Sequence, residues 1–380
     1  MYGLREDDWV IAPGFEPVAE EFRRNFAERD ELGAAFAVVR EGRTLLDLWG
    51  GNADARDGRP WERDTLQVIF SGTKGLVAIC LLMLIDRGQL DLDSPVCEYW
   101  PEFAAAGKEG VTVRQVVSHS AGLPAIAEKL TVDDLPDDRR MAALLAAQPQ
   151  FEDPRAFQTY HGLTYGWLCG ELVRRIDGRS IGRFFAEEIA APLGLELWIG
   201  LPPELEPRVT RIEIGRSWEE LDLVDPEAGE DALREAIWGN PKILVPDSFP
   251  WNSTAFHAAE IPGAGGIGTA RSVAKLYDSL GRLVSAETLA LGTTEIVSRR
   301  DALLDDEESW AVGFMLQTEL AQLGPPGDAF GHSGAGGSEH GRWPSQRLGF
   351  SYAMNRMQYD EAGDPRSRAL LAALHACAEP

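Results

Sequence analysis

Residues 68–88 read VIFSGTKGLVAICLLMLIDRG. Within them Leu76, Ile79, Cys80, Met83 and Leu84 recur at i, i+3, i+4 spacing. That pattern predicts a helix opening near Ser71 and running to about Arg87, with Gly88 as its stop signal. Apolar residues cover most of its sides, so the helix belongs in the centre of the fold. At its start stand Ser71, Gly72, Thr73 and Lys74. Residues i and i+3 share a helix face, so the Ser71 hydroxyl and the Lys74 amine can meet without tertiary help. A helix N-terminus also favours developing negative charge. A free lysine has a pKa of about 10.4, so serving as a base at pH 7 needs a fall of about three units, roughly 4 kcal/mol. Burial works in that direction, because desolvation disfavours the ammonium. Alone, S-x-x-K is a weak pattern, usually a serine cap followed by a solvated lysine. A lysine one turn into a buried helix is a stronger signal.

Before this helix, Ala34 to Arg40 and Thr44 to Trp49 read as two strands, with Glu41-Gly42-Arg43 as the hairpin turn. After it the pattern is mostly helical to about residue 260. Thr112 with Gln115 forms a capping box. Further helices are expected at Met141 to Ala147, Gly166 to Ile176 and Ser180 to Ala190, punctuated by Pro124, Pro149, Gly178 and Pro192. Thr210 to Pro250 is irregular and acidic. Then Ala270 to Leu280 reads as a helix capped by Thr269, Ala311 to Leu316 and Leu348 to Met354 as strands, and Arg366 to Cys377 as a closing helix. Strands at both ends with helices between them imply an α/β (α+β type) chain. One sheet domain would comprise residues 1–90 and 262–380, with residues 91–261 as an inserted, mostly helical domain.

The composition is that of a globular protein: 380 residues, 44% hydrophobic and 26% charged. Net charge is −25, which argues against nucleic acid and anionic membranes as partners. Acidic excesses at Asp133 to Asp138 and Asp301 to Glu308 read as solvated loops. Cys80, Cys97, Cys169 and Cys377 contain no C-x-x-C pair and read as small buried hydrophobes in a reducing compartment. The N-terminus is polar and acidic, with no signal-peptide core, so the cytosol is the expected location. Oligomeric state is not readable.

Two further segments carry chemistry. Tyr160-His161-Gly162 supplies a phenol, and a tyrosine beside an ammonium can be held as phenolate and take a proton. Gly331-His332-Ser333-Gly334-Ala335-Gly336-Gly337 lets backbone pass close to a substrate, where an N–H can pair with that of Ser71 as an oxyanion hole. Taken together, FSGTKGL, TYHGLTYGWLCGELV and GHSGAGGS, with VVSHSAGLP (Val116 to Pro124) and APLGL (Ala191 to Leu195) between them, resemble the serine β-lactamase and penicillin-binding-protein superfamily. The likeness is greatest to its class C-like branch and the family VIII carboxylesterases, and it spans about residues 30 to 355. It implies a mostly antiparallel sheet flanked by helices plus a helical domain, with the site in the cleft between. It implies Ser71 as nucleophile, Lys74 as its activating partner and Tyr160 as general base and then acid. The backbone N–H groups of Ser71 and Ala335 would hold the oxyanion. His332, Ser333, Gly334 and His161 are the candidate substrate contacts.

The chain departs from the β-lactamase pattern twice. Gly162 stands where Y-x-N has asparagine, and His332 stands where the third motif opens with lysine. Both changes remove groups that grip a β-lactam. The expectation is therefore a carboxylesterase acting on a small acyl or aryl ester, with no metal or other cofactor, and with β-lactam, amide or D-amino-acid peptide cleavage as the alternative on the same fold. Trp251, Phe256, Tyr165 and Trp343 are candidate pocket walls. Among rivals, GHSGA at 331–335 is one residue off a G-x-S-x-G elbow and would make Ser333 the nucleophile of an α/β-hydrolase. It leaves under fifty residues for acid, base and remaining sheet. Gly263 to Gly268 fits G-x-G-x-x-G but lacks the preceding strand and reads as a turn entering the Ala270 helix. A non-catalytic binding protein would not need Ser71, Lys74 and Tyr160 together. The six histidines include no H-E-x-x-H pair, and His332 and His340 read as loop residues lining the cleft or hydrogen-bonding nearby backbone.

Overall fold

The computed structural model describes residues 3–4, 6–221 and 231–378. Residues 222–230, inside the stretch read as irregular and acidic, lie outside the described residues. The predicted hairpin forms between Gly33–Arg40 and Arg43–Asp54. Its turn uses positive φ at Glu41 (50°) and Gly42 (79°), the double left-handed turn whose twist matches paired strands.

These strands begin a ten-stranded sheet whose main path is antiparallel throughout. Its order is Val10–Ile11, Arg43–Asp54, Gly33–Arg40, Leu348–Met354, Ser338–Trp343, Phe330–Gly334, Met315–Leu316, Glu307–Trp310 and Val297–Arg300. Arg59–Pro60 pairs off this path with Arg43–Asp54. Both chain ends thus feed one sheet. Side chains alternate across it as the strand period demands. Phe36, Val38, Leu46, Phe350 and Tyr352 pack on the terminal helices Glu16–Glu28 and Pro365–Ala378. Ala37, Val39 and Ala353 face the Ala270–Asp278 helix through Ala270 and Ala274. Small residues on that face admit the helix closely: a Cβ on Gly349 would lie 2.3 Å from the Ala274 carbonyl oxygen.

The central helix runs Thr73–Asp86 and is buried from Thr73 to Leu84. The predicted capping box at Thr112 and Gln115 is present. So are helices Asp138–Ala147, Thr164–Asp177 and Ile181–Phe185, the last running on into a π turn over Ala186–Ala190. Gly178 ends the second of these at φ 91°. Three expectations differ. Ala311 to Leu316 is not one strand: Ala311, Val312 and Phe314 are apolar because they enter the core. Gly313, at φ 71°, turns the chain between the Glu307–Trp310 and Met315–Leu316 strands. The Glu16–Glu28 helix and the Val297–Arg300 strand were not foreseen. The acidic Asp301 to Glu308 stretch is not a solvated loop throughout. Asp301 is 2% exposed, and the stretch runs into a strand. All four cysteines are free, with Cys80 and Cys169 buried. Among the described residues no helix is long and apolar enough to cross a membrane.

Candidate active site

A second, small sheet aims the start of the central helix. Gln67–Val68, Gly266–Gly268 and Leu197–Ile199 pair antiparallel. Beyond it the chain turns sharply at Phe70, whose φ is +45°, a left-handed conformation costing about 1–2 kcal/mol for a residue with a side chain. Thr73 clamps the turn. Its hydroxyl donates to the Phe70 carbonyl at 2.5 Å and accepts from the Gly266 N–H at 2.7 Å. Ser71 follows the strained residue and is half-buried at the cavity wall.

The Lys74 amine donates to Ser71 Oγ at 3.1 Å and to the Gly263 carbonyl at 2.7 Å. Lys74 is fully buried, and no ion pair reaches it among the described residues. Burial alone pushes its pKa well below the ordinary lysine value. The glycine-rich 263–268 run therefore serves as the wall behind Lys74. A Cβ on Gly166 would lie 2.0 Å from the Gly263 nitrogen, so the tyrosine-bearing segment packs on the same wall.

The Tyr160 ring lies 4.7 Å from the Lys74 nitrogen and stacks on Trp310 at 5.5 Å and 18°. Its hydroxyl is buried and makes no well-formed hydrogen bond, although Ser71 stands near enough to favour the phenolate. Burial outweighs that help and drives the phenol well above its usual range, with Glu308 adding to the effect. Burial thus works against the phenolate–ammonium pair read from the sequence. The same dry surroundings penalise both charges, favouring the free amine and the neutral phenol. Asp301 fixes the Tyr160 backbone, accepting from the Tyr160 N–H at 2.7 Å and from the Thr159 hydroxyl at 3.0 Å.

The third motif forms the opposite wall as two sheet strands, Phe330–Gly334 and Ser338–Trp343. A Cβ on Gly334 would sit 2.4 Å from the Ile69 carbonyl oxygen, so only glycine lets this strand end abut the segment carrying Ser71. Ala335 follows at the cavity beside Ser71. Ser333 donates to Glu339 at 2.7 Å and lies on a strand, not at the strand-turn-helix elbow an α/β-hydrolase nucleophile requires. His332 is also a strand residue at the cavity. Its Nδ1–H donates to the Ser333 carbonyl at 2.7 Å, and burial lowers its pKa to about 3.

Ser71, Tyr160, His332, Ser333, Gly334 and Ala335 share one cavity of about 420 Å³. His161 is not on its wall. The ring is fully buried, accepts from the Leu123 N–H at 3.1 Å and donates to the Thr159 carbonyl at 2.9 Å. It pins the tyrosine loop rather than facing the cavity. His340, expected at the cleft, lies inside the sheet against the Ser351 hydroxyl at 2.8 Å. Of the four candidate wall aromatics only Trp251 lines the cavity. Phe256 packs behind it, while Tyr165 and Trp343 are buried elsewhere. The aromatic wall comes instead from Trp167, Trp218, Trp238 and Trp310. No local motif flagged these, because a tryptophan in a core and one in a pocket share the same apolar neighbours. No group of three or more metal-binding side chains occurs among the described residues.

Residues 22–375 match the family model described as Beta-lactamase. The chain is 32% identical over 362 residues to "Esterase/beta-lactamase LipL" of Mycobacterium tuberculosis, covering 91% of this chain and 82% of that protein. A crystal structure of a family VIII carboxylesterase superposes with a TM-score of 0.87 at 38% identity, covering 97% of this chain and 98% of that one. A penicillin-binding-protein homologue from Caulobacter crescentus gives a TM-score of 0.87 at 36% identity, covering 97% and 100%. With the esterases among these relatives and the fold they share, this chain belongs to the beta-lactamase family, as a serine hydrolase of that fold.

Proposed function

We infer that the protein is a carboxylesterase that forms an acyl-enzyme on Ser71. One observation carries the reading: a buried, uncompensated lysine amine 3.1 Å from the Ser71 hydroxyl. As Ser71 Oγ attacks the ester carbonyl, neutral Lys74 takes its proton. The oxyanion is met by the backbone N–H groups of Ser71 and Ala335. Tyr160, resting as a neutral phenol, gives its proton to the departing alkoxide and recovers one from the Lys74 ammonium. Alcohol leaves and both groups are neutral again. A water then attacks the acyl-enzyme, losing its proton to the same pair. Acid departs as Lys74 returns a proton to Ser71 Oγ.

The lack of a lysine at His332 and of an asparagine at Gly162 supports esters over β-lactams, since a neutral histidine stands where the third motif's lysine would hold a carboxylate. Incubation with p-nitrophenyl butyrate or a fluorophosphonate, followed by peptide mass spectrometry, tests the assignment. Turnover and an adduct on Ser71, both abolished in Ser71→Ala, are expected. Undiminished turnover in Ser71→Ala, or an adduct on Ser333, would refute it.

A further inference from the structure

The cavity's interior and its mouth differ in charge. Five tryptophans, Trp167, Trp218, Trp238, Trp251 and Trp310, give the interior an apolar aromatic wall. The ionisable groups in and just behind that wall carry little net charge. Lys74 is driven toward the neutral amine, and His332 is neutral because burial lowers its pKa to about 3. Since the His332 Nδ1–H is committed to the Ser333 carbonyl, Nε2 is a bare acceptor. It is buried, without a partner, in a residue 2% exposed that lines the cavity. Burial raises the carboxyl pKa of Glu339, behind Ser333, and so favours its protonated form, and Asp364 is neutralised by Arg366 at 2.6 Å. Glu308 is held near pH 7 by burial and the neighbouring Asp301 carboxylate, with Arg299 3.5 Å away.

The mouth is anionic. Asp306, Glu307 and Asp360 line it and are exposed, and no ion pair engages them among the described residues. Lys242 is the only lysine or arginine lining the cavity among the described residues, and Arg300 is committed to Asp305 at 3.0 Å. Tyr359 lies on the same rim. After burial, the largest influences raising its phenol are Asp306, Glu361 and Asp360.

We propose that this cavity sorts esters by charge, admitting uncharged and cationic substrates and turning away those with a carboxylate or sulfonate near the ester. An anion would enter past three like charges and then meet a lone pair on His332 Nε2 in place of a cation. An ammonium or N–H group meets an attractive rim, a free acceptor and tryptophan faces suited to cations. This inference rests on the esterase reading for its substrates, but the filter itself is a property of the cavity and can be measured without turnover.

Tryptophan-fluorescence titration of Ser71→Ala with phenyltrimethylammonium and with benzenesulfonate, at low salt, tests the filter directly. The cation should bind about tenfold or more tightly than the sulfonate. The ratio should shrink in 0.5 M NaCl as the exposed charges are screened. It should also shrink in the Asp306→Asn, Glu307→Gln, Asp360→Asn triple variant. Equal binding of the two probes at low salt, or a ratio indifferent to the triple variant, overturns the proposal. Wild-type turnover of butyrylthiocholine against S-(2-sulfoethyl) thiobutyrate, which leave the same acyl group, should show the same order. Failure of both esters with the binding ratio intact would overturn the esterase reading and leave the filter standing.

Discussion

Two fully buried basic side chains beside this cleft, Arg366 and Lys74, are treated in opposite ways. Arg366 lies against Glu31 at 3.1 Å and Asp364 at 2.6 Å, and donates to the carbonyls of Gly336 and Arg356, each at 3.0 Å. Tyr352 closes the network by donating to Glu31. Every charge there has a partner, and the Arg366 guanidinium is held well above its usual range because these neighbours outweigh its burial. Lys74 has one hydroxyl, one carbonyl and a ring face, but no carboxylate. Around it lie Tyr160 and His332, each with a buried polar atom lacking a partner. A balanced cluster holds the fold together. An unbalanced one, on the proposed mechanism, stores reactivity, because burial without a counter-charge favours the free amine that can serve as a base. The two are joined at one place: Arg366 grips Gly336, next to the Ala335 N–H proposed for the oxyanion.

The comparison is broken most sharply by giving both side chains the same uncharged replacement. Lys74→Met should lower kcat/KM by about 10⁴-fold or more in an esterase assay. Its stability should be unchanged or raised, by up to about 2 kcal/mol in a denaturant titration, since a strained functional group is removed. Arg366→Met should do the reverse to stability. It strands two buried carboxylates and should cost about 3–5 kcal/mol in the same titration. Equal destabilisation by both substitutions would erase the distinction. Tyr160→Phe removes only the phenolic proton. It should reduce kcat by about 10²–10⁴-fold with KM nearly unchanged, the usual range for one positioned proton donor.

Much of the local framework is legible in the sequence, although the Arg366 cluster is not. The hairpin at Glu41-Gly42, the caps at Thr112 and Thr269 and the Gly178 stop are set by neighbours within four residues, and the structure has them. The S-x-x-K pair is equally local, since one helical turn suffices to bring Ser71 and Lys74 together. What joins them to the rest of the site is long-range. The Gly263 carbonyl at Lys74, Asp301 under Tyr160 and Trp310 against its ring all come from segments 140 or more residues distant. Asp301 was hidden in an acidic stretch whose composition suggested solvent. His161 was misjudged for the same kind of reason: adjacency to Tyr160 in sequence puts its ring on the loop's inner side, not at the cavity.

The neutral resting state of Lys74 is the claim on which the rest depends, and the pH dependence of Ser71 acylation measures it. Burial lowers the Lys74 pKa in the folded protein, so the active, unprotonated form persists as pH falls far below an ordinary lysine's value of about 10.4. Single-turnover acylation by p-nitrophenyl butyrate, followed from pH 5 to 10.5, should therefore reach its plateau well below the pH at which an ordinary lysine loses its proton. Its acid limb should vanish in Lys74→Met along with most of the rate. An acylation rate that keeps climbing tenfold per pH unit up to about pH 10 would mean an ordinary, charged lysine, and would contradict the account.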